Sequence, residues 1–291
     1  MAKDGRRAVM TIRWVSDIGS NHNQNLNRAL DLVSASKDIG CWGVKFQLFK
    51  AETLYRNPDP VVLEELKLSE LPLEFIPLIS KYCQLQEIAF GCTPFYLEAI
   101  DILEPYVDFF KIGSYEVLCL DMIEKIAKTR KRIIISTGMA TISEIERIVN
   151  LIIELRSGCE GVTLLHCCSE YPASPKDCNL VDMVSLNKTF SPLYIGWSDH
   201  SAQPGVIHRA AGMGAQMIEF HLDLNDECGM ESIHGHCWNP SKIRKVIEDV
   251  KIGEQAVISQ SENLEKDLIK KGMMRMKRMD PSDHSRPIKV I

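Results

Sequence analysis

No apolar run in this 291-residue chain reaches the roughly 18–20 residues that a bilayer-spanning helix requires, so length excludes a membrane span. The start, Met1-Ala-Lys-Asp-Gly-Arg-Arg7, lacks the hydrophobic stretch of a signal peptide, and a soluble, cytoplasmic protein is expected. Basic blocks are also missing until Lys270–Arg278, and the net charge is −5, which speaks against nucleic acid as a partner. That late basic stretch reads as a solvated helix face or tail. Ten cysteines are present but no Cys-x-x-Cys pair, so a structural zinc site is not expected. Most lie within apolar segments (Cys41, Cys83, Cys92, Cys119, Cys167), where reduced, packed thiols are the expected state, and the adjacent Cys167 and Cys168 should face opposite sides of a strand.

What is present is a 45% hydrophobic chain, enough for a large core. Short apolar runs alternate with amphipathic stretches: Ile12–Ile18, Val44–Phe49, Ile88–Cys92, Phe109–Ile112, Ile133–Ser136, Val162–Cys167, Tyr194–Trp197 and Met217–Leu222. Between them, sets such as Leu26/Leu30/Val33, Ile142/Ile145/Ile148/Ile152 and Ile243/Val246/Val250 recur at helical spacing, and Thr141-Ile-Ser-Glu144 has the form of a capping box. Eight βα units fit a closed (β/α)8 TIM barrel better than an open sheet. The barrel is expected over 1–258, with 259–291 a charged, methionine-rich tail packing on the barrel or on a partner subunit. The segment Ala51–Leu71, with Asn57-Pro-Asp-Pro60, is longer than a usual βα loop and is expected to act as a lid.

Polar residues follow the runs directly: Asp17 with Asn21-His22-Asn23, Lys45 and Gln47, Thr93, Lys111 with Ser114 and Glu116, Thr137, Ser169 with Tyr171, Ser198-Asp199-His200, and Glu219 with His221. In a barrel all strand C-termini converge on one mouth, so these scattered side chains would meet there. That convergence is the physical argument for an enzyme. His200 and His221 are 21 residues apart, one βα unit, which brings two imidazoles to one sheet edge as candidate ligands for Mn²⁺, Zn²⁺, Fe²⁺ or Co²⁺, with Asp199 and Glu219 beside them. Glu219 shares the strand face of His221 at period two. Lys45 and Lys111 lie within strand runs, where an ammonium needs an anionic partner. With Thr93, Ser114 and Ser198 they suit a dianion carrying a phosphate and a carboxylate. The alternative is that one lysine pairs with Glu116 or Glu219 inside the barrel. His166 reads as core, His208 as a helix residue and His284 as part of the tail, while His234 and His236 in the last loop carry no assignment.

Ser20-Asn-His-Asn23, Val44-Lys-Phe-Gln47, Cys92-Thr-Pro-Phe95, Phe110-Lys-Ile-Gly-Ser114, Ile135-Ser-Thr-Gly-Met-Ala140, Leu164-Leu-His-Cys167 with Tyr171-Pro172, Gly196-Trp-Ser-Asp-His200 and Ile218-Glu-Phe-His221 together resemble the sialic acid (N-acetylneuraminate) synthase family, in order from about residue 12 to 250. The resemblance implies a TIM barrel that condenses phosphoenolpyruvate with an open-chain N-acylmannosamine-type aldose, giving a nine-carbon 2-keto acid and phosphate. It implies that His200 and His221 hold Mn²⁺, or Mg²⁺ or Co²⁺, against the sugar aldehyde. Lys45, Thr93, Lys111, Ser114, Ser169, Tyr171 and Ser198 are the implied phosphoenolpyruvate-binding residues, and Asp17, Glu116 and Glu219 the implied catalytic carboxylates. A homodimer is the expected assembly.

The chain departs from the family in places. Asp17 stands where glutamate is usual, and Tyr115, where glycine is usual, is expected to narrow the pocket. The loop Gly229-Met-Glu-Ser-Ile-His-Gly-His236 lacks the Gly-Pro-Asp whose aspartate binds sugar hydroxyls, leaving Glu231 or His234 as substitutes. Many relatives continue into a small antifreeze-like domain that supplies an arginine to the neighbouring subunit, and this chain is expected to be the barrel alone. Two other readings compete: a metal-free aldolase using Lys111 or Lys45 as a Schiff base, and a non-catalytic barrel that binds a sugar or a partner enzyme.

Overall fold

Eight runs of β-branched and aromatic residues form eight parallel strands that close on themselves in chain order, the last pairing with the first. The strands are β1 (Arg13–Gly19), β2 (Gly43–Leu48), β3 (Ala89–Pro94), β4 (Phe109–Ile112), β5 (Arg132–Ser136), β6 (Val162–Cys167), β7 (Tyr194–Asp199) and β8 (Met217–His221). A computed structural model describes residues 11–55 and 58–257. The barrel body spans residues 10–250, and a second unit holds 251–291 with 1–9, of which only the end of the last helix lies among the described residues. The expected boundary at 258 and the tail 259–291, with His284, lie outside them.

The helices follow in order: α1 (Leu26–Asp38), α2 (Ala51–Leu54), α3 (Pro60–Ser69), α4 (Phe75–Leu85), α5 (Leu97–Leu103), α6 (Leu120–Lys128), α7 (Ile142–Arg156), α8 (Val181–Phe190), α9 (Pro204–Gly212) and α10 (Pro240–Val257). Local sequence sets their starts. Asn25 caps α1 by accepting from the Arg28 amide, and Thr141 and Glu144 form the expected capping box of α7. The barrel helices bury one stripe against the sheet, as Ile145, Ile148, Val149 and Ile152 do in α7, whereas α3 buries no residue. His208 lies in α9, as the sequence indicates.

Two apolar layers result. The larger lies between sheet and helices, and a smaller one of Val15, Phe109, Ile134, Leu165 and Met217 fills the lower barrel. Phe109 occupies the space above Gly91, where an added Cβ would lie 2.1 Å from its ring, so glycine in β3 lets one aromatic plug the barrel axis. Above that plug the inward positions become polar. This change of layer positions the site.

The segment expected to be a lid is helical: α2 and α3 occupy most of it. Its end docks on the β1–α1 turn, where Gln24 Nε2 donates to the carbonyls of Lys67 (2.7 Å) and Glu70 (3.1 Å), and Ser20 Oγ to that of Ser69 (3.0 Å). All ten cysteines are free. Cys119, expected to be packed, is exposed just before α6, and Cys168 falls beyond the end of β6 rather than on its opposite face.

Candidate active site

Strand register assembles the site before any loop does. Asp17 on β1 is level with Lys45 on β2 and with His221 on β8, and Ser198 on β7 is level with Glu219 on β8. All are buried and stand above the apolar plug. Lys45 Nζ lies 2.5 Å from Asp17 Oδ2 and donates to Thr93 Oγ1 at 3.1 Å, while Gln47 Nε2 donates to Asp17 Oδ2 at 3.1 Å. Lys111 Nζ donates to Ser136 Oγ at 2.7 Å and lies 3.5 Å from Glu219 Oε1, which accepts from Ser198 Oγ at 3.0 Å. Glu219 Oε2 is buried without a partner.

Burial would push the Lys45 ammonium toward its neutral form, but the charges of Asp17 and Glu219 outweigh it and its pKa is raised. Asp17 behaves conversely: burial opposes its charge, and Lys45 with His221 outweighs burial and lowers its pKa. The pairing of a lysine with Glu219, set against a free pair of lysines in the sequence reading, is therefore what the barrel contains, with Asp17 serving Lys45. Glu116 makes no ion pair with either lysine among the described residues, and burial raises its pKa.

The two histidines meet at the mouth with ring centroids 5.4 Å apart. His200 donates from Nδ1 to the Cys168 carbonyl at 2.6 Å, which leaves Nε2 as its free lone pair, and burial lowers its pKa to about 3, so the imidazole is neutral. His221 donates from Nδ1 to Glu231 Oε2 at 2.7 Å and turns Nε2 toward Asp17 Oδ2 at 3.5 Å. Burial opposes a charge on His221, yet Asp17 and Glu231 outweigh it and raise its pKa, so this edge favours positive charge. Each histidine is oriented through its other nitrogen, and imidazole nitrogens beside a carboxylate are donor types that suit a divalent cation. Tyr171 stacks on His200 at 4.1 Å.

A second donor group borders the first. His221, Glu231, His236 and Cys237 offer ligand atoms within 4.8 Å of one another. Its position depends on the last loop, which Ser20-Asn-His-Asn23 clamps: Asn21 Oδ1 accepts from the Glu231 amide (2.8 Å), Asn23 Oδ1 from the Met230 amide (3.0 Å), and the Ser20 amide donates to Glu231 Oε1 (2.8 Å). Gly19 has φ +51° and an added Cβ there would lie 1.9 Å from Glu231 Oε1, so glycine is required on both counts. His22, buried with its pKa lowered to about 4, stacks on Phe46.

Other expected residues fall differently. Ser114 is buried against Cys167 Sγ (2.9 Å) and the Gly138 amide (3.2 Å), whereas Ser169 Oγ is buried without a partner. Asp199, expected beside the metal pair, is committed elsewhere: it accepts from the indoles of Trp197 (3.1 Å) and Trp238 (3.0 Å) and from Ser201 Oγ (2.6 Å). Tyr115, expected to narrow the pocket, is 66% exposed. His166 is half-buried rather than core, bonded to the Cys178 carbonyl at 2.9 Å. Ser136 and Gln47 join the site although neither is singled out by the sequence reading as a binding residue. Period two signals both, since Ser136 shares a face with the plug residue Ile134 and Gln47 with Lys45. His236 and Cys237 carry no such signal, because loop folding alone brings them in.

The NeuB family matches residues 32–262, most of the chain and the whole run of strands from β2 to β8. This chain belongs to the NeuB family. Among relatives, it is 36% identical to the N,N'-diacetyllegionaminic acid synthase of Campylobacter jejuni, over 72% of this chain and 67% of that one. It is 34% identical to the pseudaminic acid synthase of Helicobacter pylori, over 72% and 65%. The chain thus spans about two thirds of the length of these relatives. The N-acetylneuraminic acid (sialic acid) synthetase of Leptospira borgpetersenii, solved with citrate, shares the fold with a TM-score of 0.81 at 24% identity, over 94% of this chain and 97% of that one. No helix among the described residues of this NeuB-family chain is long and apolar enough to cross a membrane.

Proposed function

We propose that this NeuB-family barrel condenses phosphoenolpyruvate with an N-acylated, mannosamine-type aldose, forming a nine-carbon 2-keto acid and releasing phosphate. One observation carries the reading: two buried lysines and two histidines with orienting bonds on Nδ1 surround one barrel mouth. Lys45 and Lys111, with the hydroxyls of Thr93, Ser114, Ser136 and Ser198, hold the phosphate and carboxylate of the enol phosphate, which competes with Asp17 and Glu219 for the ammonium groups. Ser169 Oγ, buried and unpartnered, adds a donor, and Tyr171 forms a wall beside His200. His200 and His221 would hold a divalent ion, Mn²⁺ or else Mg²⁺ or Co²⁺, which when bound polarises the sugar aldehyde.

Carbon 3 of the enol phosphate bonds to the aldehyde carbon, whose oxygen takes a proton and becomes a hydroxyl. Water adds at carbon 2 and loses a proton, which the unpartnered Glu219 Oε2, two positions before His221 on β8, would accept. The bond from carbon 2 to the phosphate oxygen then breaks as the carbon 2 hydroxyl gives its proton to the departing phosphate, leaving the ketone and inorganic phosphate. Asp17 sits where a sugar hydroxyl would reach it beside His221, and Glu116, with its raised pKa, is the carboxyl best placed to remain protonated and donate. A Schiff base on Lys45 is disfavoured because Asp17 and Glu219 hold that lysine as an ammonium. A homodimer and a cytoplasmic setting complete the proposal. His200→Ala is expected to abolish phosphate release while circular dichroism and phosphoenolpyruvate binding are kept, whereas a folded, fully active variant would overturn the metal role.

A further inference from the structure

We propose that the pole of the barrel opposite the mouth binds a small polyanion, a molecule carrying two or more phosphate or carboxylate groups. A cavity of about 750 Å³ opens there, among the first residues of β1, β5, β6, β7 and β8 and the α7–β6 turn. Its size suits a metabolite-scale ligand. Arg13, Arg130, Arg132 and Arg156 line it, and Glu160 is the single carboxylate among the lining residues.

In a chain of net charge −5, arginines are expected to find acids, yet among the described residues these four have none within ion-pair distance. Three of them are instead held by aromatic rings or backbone. The Arg13 guanidinium lies 5.3 Å over the Trp42 ring and 5.5 Å over that of Tyr194, and Arg132 lies 5.7 Å over Trp42. Placed over these rings, the guanidinium groups of Arg13 and Arg132 make no ion pair among the described residues and can donate to an anion. Arg156 donates from Nη2 to the Arg130 carbonyl at 3.2 Å, but its Nη1 is buried with no partner at all. A buried donor left without a partner is unfavourable, and an anionic oxygen in the cavity would satisfy it. Burial and the nearby Arg130 charge also disfavour the charged form of Arg156, a crowding that the same anion would relieve.

Four forks facing one concavity match more than one anionic group, since a single phosphate accepts fully from two. The ligand is distinct from the substrates of the mouth, because Val15, Phe109, Ile134, Leu165 and Met217 seal the barrel between the two ends, and Ile134 and Met217 form part of the cavity floor. The strands that begin at this cavity lead to the proposed reaction centre: β1 (Arg13–Gly19) carries both Arg13 and Asp17, and β5 runs from Arg132 to Ser136. The inference stands independently of the reaction proposed for the mouth.

Calorimetric titration of the full chain with inorganic pyrophosphate, triphosphate and sulfate tests it. Saturable pyrophosphate binding is expected, at least tenfold tighter than sulfate, weakened at least tenfold in Arg156→Ala and further in Arg130→Glu, with melting temperatures checked for each variant. Arg130 and Arg132 are exposed, so Arg130→Glu and Arg132→Ala provide folded variants if Arg156→Ala is unstable. No saturable binding, affinity unchanged in the arginine variants, or sulfate bound as tightly as pyrophosphate would each overturn the proposal.

Discussion

Asp17 and Lys45 share the floor of the mouth, and neither charge would persist there without the other. Breaking a buried pair costs about 3–5 kcal/mol because it strands the remaining charge, so Asp17→Asn is expected to destabilise the protein by that order near neutral pH. Because the folded-state pKa of Asp17 is depressed, its stabilisation is present above the ordinary aspartate range and is lost as pH falls through the folded value. Urea unfolding at pH 7 and pH 3.5 should therefore show a gap between wild type and Asp17→Asn that shrinks on acidification. A constant gap would count against the pair. At the histidines, Glu231 orients His221 through Nδ1, and Glu231→Gln is expected to weaken Mn²⁺ binding by about 10–100-fold in equilibrium dialysis while the fold is retained. At this scale the chemistry-bearing residues of β1, β2, β4, β7 and β8 were legible, because period two and strand-end position place them. Asp199 was not, since its indole donors come from Trp197 two positions back and Trp238 far ahead in the chain.

Strand β3 and the β1–α1 turn show how elements are fixed by single positions. Gly91→Ala would drive a methyl into the Phe109 ring and is expected to cost about 1–3 kcal/mol, part of which Phe109→Leu in the same chain should recover. Additive losses in denaturant melts would contradict the plug. Asn21 ties two parts of the last loop region, donating to the Leu222 carbonyl at 3.0 Å and accepting from the Glu231 amide. Asn21→Ala is expected to cost about 1–3 kcal/mol and to speed amide exchange across 228–237, with little change in β4 or β5. The strand runs were readable to within two residues at either end, since their apolar content is nearly continuous. The segment 51–71 is harder to read because Pro58 and Pro60 suggest a break, whereas Pro60 is the first residue of α3.

At the scale of the whole molecule, eight βα units place residues from Asp17 to His221 around one opening, and that convergence follows from alternation alone. What alternation does not convey is the content of loops. The ordered motifs point to the NeuB family, but in the last loop Glu231, His236 and Cys237 crowd His221 in a pattern no periodicity announces. The same loop leaves the sugar as the open variable of the proposed reaction. The direct test is to incubate the purified protein with phosphoenolpyruvate, Mn²⁺ and, in turn, N-acetylmannosamine, its 6-phosphate and a 2,4-diacetamido-6-deoxy aldose, quantifying phosphate and 2-keto acid together. Equimolar release of both with one of these sugars, abolished by chelator and restored by Mn²⁺, is the predicted result. Silence with every sugar, in protein that binds both metal and phosphoenolpyruvate, would contradict it.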